Sequence, residues 1–223
     1  MHSDVGRKLL NLFKQQEDDL MVNQPIRPFS EVLREIYLRI AAELGVNLFE
    51  VGLKGEAERF GGSVGQLPPF GDTVRACQRL EGMGFKLVFL SNIERVASGE
   101  TSGGCLKDVR FWRCYTADDF EQDEPDRRKL EFLGRRVRED VEGEGEQLEQ
   151  DEILHVANSL GHDHAVAKKL GLSSVWIVRD SIRWGKKKEM EDSLGKVGYG
   201  WRFETLEEFV DAVEKDVKSA GNQ

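Results

Sequence analysis

Cysteine is scarce in this chain and poorly placed for cross-linking. Its three residues, Cys77, Cys105 and Cys114, are an odd number without a Cys-x-x-Cys pair. Neither a zinc cluster nor a secreted disulfide framework is suggested, and reduced thiols in a cytoplasmic protein are expected. Long apolar runs are missing too: the longest are strand-sized, such as Leu87 to Leu90, against the roughly 20 residues a bilayer-spanning helix needs. No secretory signal is read at the front, because Leu9, Leu10, Leu12 and Phe13 are interrupted by Asn11 and followed by Lys14 and Glu17. Positive charge is in deficit, with 32 Lys and Arg against 41 Asp and Glu and a formal net charge of -9. Nucleic acid and anionic membranes call for an excess of cations on one face, so both drop out as partners. A small molecule or another protein remains. Common catalytic signatures are absent as well: there is no Gly-x-Ser-x-Gly elbow, P-loop, Gly-x-Gly-x-x-Gly after a strand, or His-Glu-x-x-His.

What is present suffices for a core, since 223 residues suit one domain with a smaller attachment or two small domains. After Pro28, Phe29-Ser30-Glu31 reads as a cap and acidic first turn. Val32, Leu33, Ile36, Tyr37, Ile40 and Leu44 then recur at helical spacing until Gly45. The stretch from Val5 to Met21 predicts a second helix, and the two suggest a helical module. Gly61-Gly62-Ser63, Pro68-Pro69 and Gly71 mark a boundary. Beyond it Val74, Cys77 and Leu80 predict a helix that stops at Gly82 and Gly84, before a strand from Lys86 to Asn92.

Ile153 to Ala157 and Ser174 to Val178 read as strands buried on both faces, joined by a helix from about Ala165 to Leu170 that Gly171 closes. Strand, helix, strand at this spacing implies a right-handed parallel crossover. Phe111 to Tyr115 adds a strand and Lys129 to Val137 a helix, and Thr205 with Glu208 forms a capping-box pattern ahead of a last helix. The fold class is α/β around a parallel sheet. Asp118 to Glu152 is strongly acidic, densest from Asp140 to Glu146, and reads as a solvated loop.

Ligands of open parallel sheets bind beyond the carboxyl ends of the strands. Two polar groups fall there. Ser91 and Asn92 end one strand and could donate to an anion, although such residues also begin ordinary turns. Asn158-Ser159-Leu160-Gly161-His162-Asp163-His164 follows another. His162, Asp163 and His164 invite a metal reading, but alternation in an extended segment separates Asp163 from the histidines and no third ligand converges. Asp163 also reads as the N-cap of the helix from Ala165, about as readily as a catalytic acid.

In their order and spacing, six segments resemble the type II 2-haloacid dehalogenase branch of the haloacid dehalogenase-like (HAD) hydrolases. They are Phe29 to Tyr37, Phe60 to Gly65, Lys86 to Asn92, Tyr115-Thr116-Ala117, His155 to His164, and Lys168 to Leu172. The resemblance implies a Rossmann-like core with a helical cap, residues 1–68 being cap and 69–223 core. It implies a small anionic substrate, a 2-haloacid or a related carbon–halide or phosphate ester. Ser91, Asn92, Asn158 and Ser159 would bind it, and Asp163 would be catalytic by orienting the hydrolytic water. No cofactor is implied unless the chemistry is phosphatase-like, in which case the acid binds magnesium. A homodimer is expected by analogy.

Two family features depart from the pattern. The nucleophilic aspartate that ends the first, central strand is missing: no Asp-x-Asp occurs, and Asp4 lacks an apolar strand before it. The Lys-Pro-Asp segment reads Glu124-Pro125-Asp126, a reversal of charge. Loss of the central strand would leave backbone groups of both neighbours unpaired. The sequence therefore suggests a hydrolase truncated or impaired in this form. The alternative is a catalytically inactive binding or accessory protein in a metabolic pathway.

Overall fold

The computed structural model describes residues 4–23, 28–91, 95–119, 126–179 and 198–221. In chain order the elements are α1 (Asp4–Asn23), α2 (Phe29–Glu43), α3 (Leu53–Gly61), α4 (Thr73–Gly82), β1 (Val88–Leu90), α5 (Arg95–Gly103), β2 (Arg113–Tyr115), α6 (Asp126–Gly143), β3 (Leu154–Ala157), α7 (Ala165–Leu170), β4 (Ser173–Ile177), β5 (Trp201–Phe203) and α8 (Leu206–Ala220). Two compact units result. One comprises Met1–Pro69 with Val88–Asp123, the other Phe70–Leu87 with Glu124–Gln223. No helix among the described residues is long and apolar enough to cross a membrane.

In the first unit, Leu20 of α1 meets Val32, Leu33 and Ile36 of α2 in a core closed by Phe13, Phe29, Ile40 and Val64. The helical spacing read from the sequence is the spacing of this buried stripe. Helix α2 ends as expected, with Leu44 as C-cap and Gly45 left-handed at φ 79°. Its start differs. Pro28 occupies the N-cap and no side chain caps it, so Phe29 and Ser30 are already helical. Helix α3 lies against α2 so closely that a Cβ on Gly61 would stand 2.5 Å from the Ser30 carbonyl oxygen. Glycine is needed there for space. Strands β1 and β2 pair in parallel, Val88 opposite Arg113 and Leu90 opposite Tyr115. The α5 start is fixed by Arg95, whose N–H donates to Asp118 (2.7 Å) and whose guanidinium meets Asp119 (2.5 Å).

The second unit contains β3, β4 and β5, all parallel in that order, with Ala157 opposite Trp176 and Ile177 opposite Phe203. A parallel strand–helix–strand connection is thus present, with α7 covering the stated residues and Gly171 left-handed at φ 70°. Its apolar core joins Ala76 of α4, Val175 and Ile177 of β4, and Phe209 and Val210 of α8. Each fully buried side chain of this kind contributes roughly 1.5 to 3 kcal/mol. Thr205 caps α8 by accepting from the Glu208 N–H (3.1 Å), while the Glu208 carboxylate reaches Glu204 N (2.9 Å) instead of the cap's own amide.

Asp72 ties this unit together. Its Oδ2 accepts the N–H groups of Leu206 (2.8 Å) and Glu207 (3.2 Å) at the start of α8, and both its oxygens meet Arg179 Nη1 (2.6 and 2.7 Å). Arg179 sits just past β4 in the left-handed region, φ 57°, which costs a non-glycine residue about 1 kcal/mol or more. The ion pair, a stack of its guanidinium over Phe70 at 4.4 Å, and an N–H donated to Glu204 (3.1 Å) hold it there.

Two expectations are corrected. Asp140 to Gly143 form the last turn of α6, not a solvated loop, and Glu144 and Glu146 both bind Lys86 at 3.0 Å. Strand β4 is buried as read, but β3 is not: Leu154 and Val156 are 41% and 36% exposed. The reason is position. Among the described residues β3 has one strand neighbour, as does β1, so the strands form two sheets rather than one.

Gly61→Ala is predicted to destabilise the protein by about 1 to 3 kcal/mol through overpacking against backbone. Gly62→Ala, whose Cβ would meet nothing closer than 3.4 Å, should be nearly neutral; equal denaturation midpoints for the two would contradict the close approach. Burial alone would raise the Asp72 carboxyl pKa, but the Arg179 hydrogen bond and charge and the two backbone N–H groups bring it below its ordinary 3.8. The unfolded chain therefore takes up this proton first, so the Asp72 contribution is complete above the ordinary value and is lost as pH falls below it. Asp72→Asn should cost about 3 kcal/mol at pH 7 and flatten the acid limb of a stability–pH curve. An unchanged acid limb would remove Asp72 from this role.

Candidate active site

Strand β3 runs into Asn158 and Ser159, and the chain then closes a single wide turn, Leu160–His164, before α7. The turn is knotted by reciprocal bonds. Asp163 N and His164 N donate to Ser159 O at 3.1 and 3.2 Å, and Ser159 N donates back to Asp163 Oδ2 at 3.1 Å. The other carboxylate oxygen, Oδ1, lies 3.5 Å from His155 Nε2, with Asp163 one-third exposed and His155 12% exposed. That separation is at the limit of a hydrogen bond, and the His155 Nε2 atom has no closer partner. A carboxylate one-third exposed at the end of a strand can accept a hydrogen bond from water.

The surroundings hold this turn rigidly. Asn158 Nδ2 donates to the carbonyls of Ile177 (2.6 Å) and Val178 (3.1 Å), and its own carbonyl accepts from Trp176 Nε1 (3.0 Å). His164 is fully buried, with Nδ1 3.0 Å from Ser174 Oγ and Nε2 3.2 Å from the Ala157 carbonyl. A carbonyl only accepts, so Nε2 carries the hydrogen and Nδ1 accepts from the serine hydroxyl. Burial pushes the imidazole pKa below its ordinary 6.5, with the bond to Ala157 opposing. A neutral ring with both nitrogens engaged is a structural histidine and leaves no lone pair for a metal.

The sequence-predicted residues divide. Asp163, Ser159 and Asn158 come together here, although the Asn158 amide is engaged with β4. Ser91 closes β1 in the other unit, its N–H donating to Tyr115 O at 3.1 Å. Asn92, Glu124 and Pro125 lie outside the described residues, as does the side chain of His162. Asp4 is the first residue of α1 and pairs with Arg7 at 3.1 Å. Asp163 is not the N-cap of α7: that position is His164, without a side-chain cap. Sequence reasoning passed over His155. Its one signal was its place on β3, two residues before the strand's end, where it breaks an otherwise apolar run.

Magnesium fits poorly. It needs several oxygen ligands in octahedral geometry, whereas no group of three candidate metal-binding side chains occurs among the described residues. Asp163 is the single carboxylate at this turn, and the group facing it is a nitrogen.

No family model and no curated protein matches the chain. Solved structures do. A dehalogenase with an intermediate complex matches at TM-score 0.69 and 18% identity, over 93% of this chain and 84% of that one. The L-2-haloacid dehalogenase of Xanthobacter autotrophicus matches at TM-score 0.66 and 17% identity, over 93% and 86%. A Bacillus subtilis protein described as a HAD-hydrolase and bound to magnesium matches at TM-score 0.64 and 15% identity, over 95% and 84%. At these identities the likeness is one of fold: a Rossmann-like α/β core with a helical cap.

Because the folded-state pKa of His164 lies below the unfolded one, its contribution is complete above about pH 6.5 and declines as pH falls further. His164→Asn is predicted to remove this decline below pH 6.5, while Ser174→Ala should cost about 1 kcal/mol for the lost hydrogen bond. Denaturant midpoints across that range check both, and an identical slope in the histidine variant would show that His164 is not the titrating group.

Proposed function

We propose that the end of β3 is the acidic part of a HAD-like hydrolase centre for a small anionic substrate, a 2-haloacid or a related carbon–halide or phosphate ester, impaired in this chain. The observation that carries the reading is the Asp163 carboxylate, fixed beyond a parallel strand with one oxygen on the Ser159 N–H and the other toward His155. A carboxylate held in this way accepts a hydrogen bond from water, turns the water's lone pair outward and takes the proton as the water attacks. The turn allows little movement, so the water's direction is set before substrate arrives. The neighbours that work as dehalogenases have the same fold, and the resemblance of the His155 to His164 segment points the same way.

Impairment is proposed from charge. In sequence, Glu124 takes the place of the lysine in the Lys-Pro-Asp segment of the resembled family, where a cation would neutralise an anionic substrate and a carboxylate would raise the cost of bringing a second anion close. The same residue favours the second reading, a binding or accessory protein that holds a small anion without turning it over.

Chloride release from 2-chloropropionate by the full chain separates the two. If the hydrolase reading is right, slow release is expected, and Asp163→Asn lowers it at least about 100-fold, the scale of a lost general acid or base. Turnover unchanged by that substitution would remove Asp163 from the mechanism. No release, together with a rise in Tm on adding the acid, would establish the binding reading.

A further inference from the structure

Helix α6 carries its charge the wrong way round. Residues 126–138 hold six cations, Arg127, Arg128, Lys129, Arg135, Arg136 and Arg138, against two acids, Asp126 and Glu131, whereas residues 139–152 hold eight acids and no Lys or Arg. The peptide dipoles of a helix favour acids in its first turn and cations in its last. Here three cations follow Asp126 in the first turn, and the last turn has none. Pairing along the helix recovers little. Arg135 and Arg136 share the one carboxylate of Glu139, at 3.8 and 3.3 Å, in the poorer order with the cation first. Arg138 has no ion pair among the described residues. This distribution weakens the helix that bears it, so folding does not account for it.

We infer that the first half of α6 is a docking surface for a short acidic segment of another protein. The cations stand on the solvent side. Val137 and Val141, 8% and 4% exposed, mark the inward side. With 3.6 residues per turn, the positions of Arg128 and Arg135 fall opposite them and the other four on the flanks. The side chains of Arg135 and Arg136 are 65% and 51% exposed. Three properties select an acidic peptide. The first is charge complementarity: six cations against two acids give +4 within a chain of net -9. The second is reach. Residues 127–138 span about 17 Å at roughly 1.5 Å per residue, the length of about five extended residues. A longer anion, such as a duplex or a bilayer surface, runs on to the acids that begin at Glu139 and is repelled by them. The third is donor type. Five of the six cations are arginine, whose planar fork matches a carboxylate in two parallel hydrogen bonds. The Arg135 guanidinium also lies over the Phe132 ring at 5.4 Å, which reduces the ordering needed to bind.

The inference does not rest on the hydrolase reading. Fluorescence anisotropy of labelled hexaglutamate with the full chain should show half-saturation below about 100 μM in about 50 mM salt, weakening at least about 10-fold in about 500 mM. Arg135→Gln, Arg136→Gln and Arg138→Gln together should weaken binding at least about 10-fold with the wild-type Tm kept. Lys8→Gln, Lys54→Gln and Lys107→Gln together make the same change in net charge at exposed positions elsewhere, and should leave binding within about 2-fold of wild type. Glu139→Gln, which releases both guanidiniums, should tighten it about 3-fold. No binding at about 1 mM peptide, binding that the triple arginine variant leaves intact, or tighter binding of an RNA duplex of about 20 base pairs than of the peptide would overturn the proposal.

Discussion

The Asp72 carboxylate is the point on which the second unit depends. It neutralises Arg179 after β4, satisfies two amides at the start of α8, and lies at the head of α4. These three elements also supply the buried core of Ala76, Val175, Ile177, Phe209 and Val210. A charge pair with each side chain 12% exposed is ordinarily a weak source of net stability, because desolvation offsets much of the attraction. Here the carboxylate gains two further hydrogen bonds, and the pair fixes where a strand stops and a helix begins.

That fixing extends to the candidate site. The carbonyls of Ile177 and Val178, just before Arg179, are the ones Asn158 grips. Asn158 adjoins Ser159, which binds Asp163. The position of the catalytic candidate is therefore inherited from the end of β4 through an amide that sequence reasoning had assigned to substrate. His164 serves the same end from below, locking the turn to Ser174 and Ala157.

Much of the fold was legible because it is written in local signals. The apolar stripe of α2, the left-handed glycines that close α2 and α7, and the unbroken apolar run of β4 each follow from short-range rules. The rest was hidden because it depends on residues far apart in sequence. Nothing near Asp72 announces Arg179 or Leu206. The exposure of Leu154 and Val156 could not be read from their neighbours either, since it depends on how many strands flank β3. Of the site, Asp163 and Ser159 were legible by position after a strand. His155 was not, because its importance lies in a 3.5 Å approach across a turn.

The Asp72 contacts span 107 residues to Arg179 and 134 to Leu206. On a ribosome adding about 5 to 20 residues per second, α4 is complete on the order of ten seconds before either partner exists. During that interval Ala76 and the apolar side of its helix have no β4 or α8 to cover them, and Asp72 is an ordinary solvated acid. The second unit can therefore close only late, after both β4 and α8 have been made.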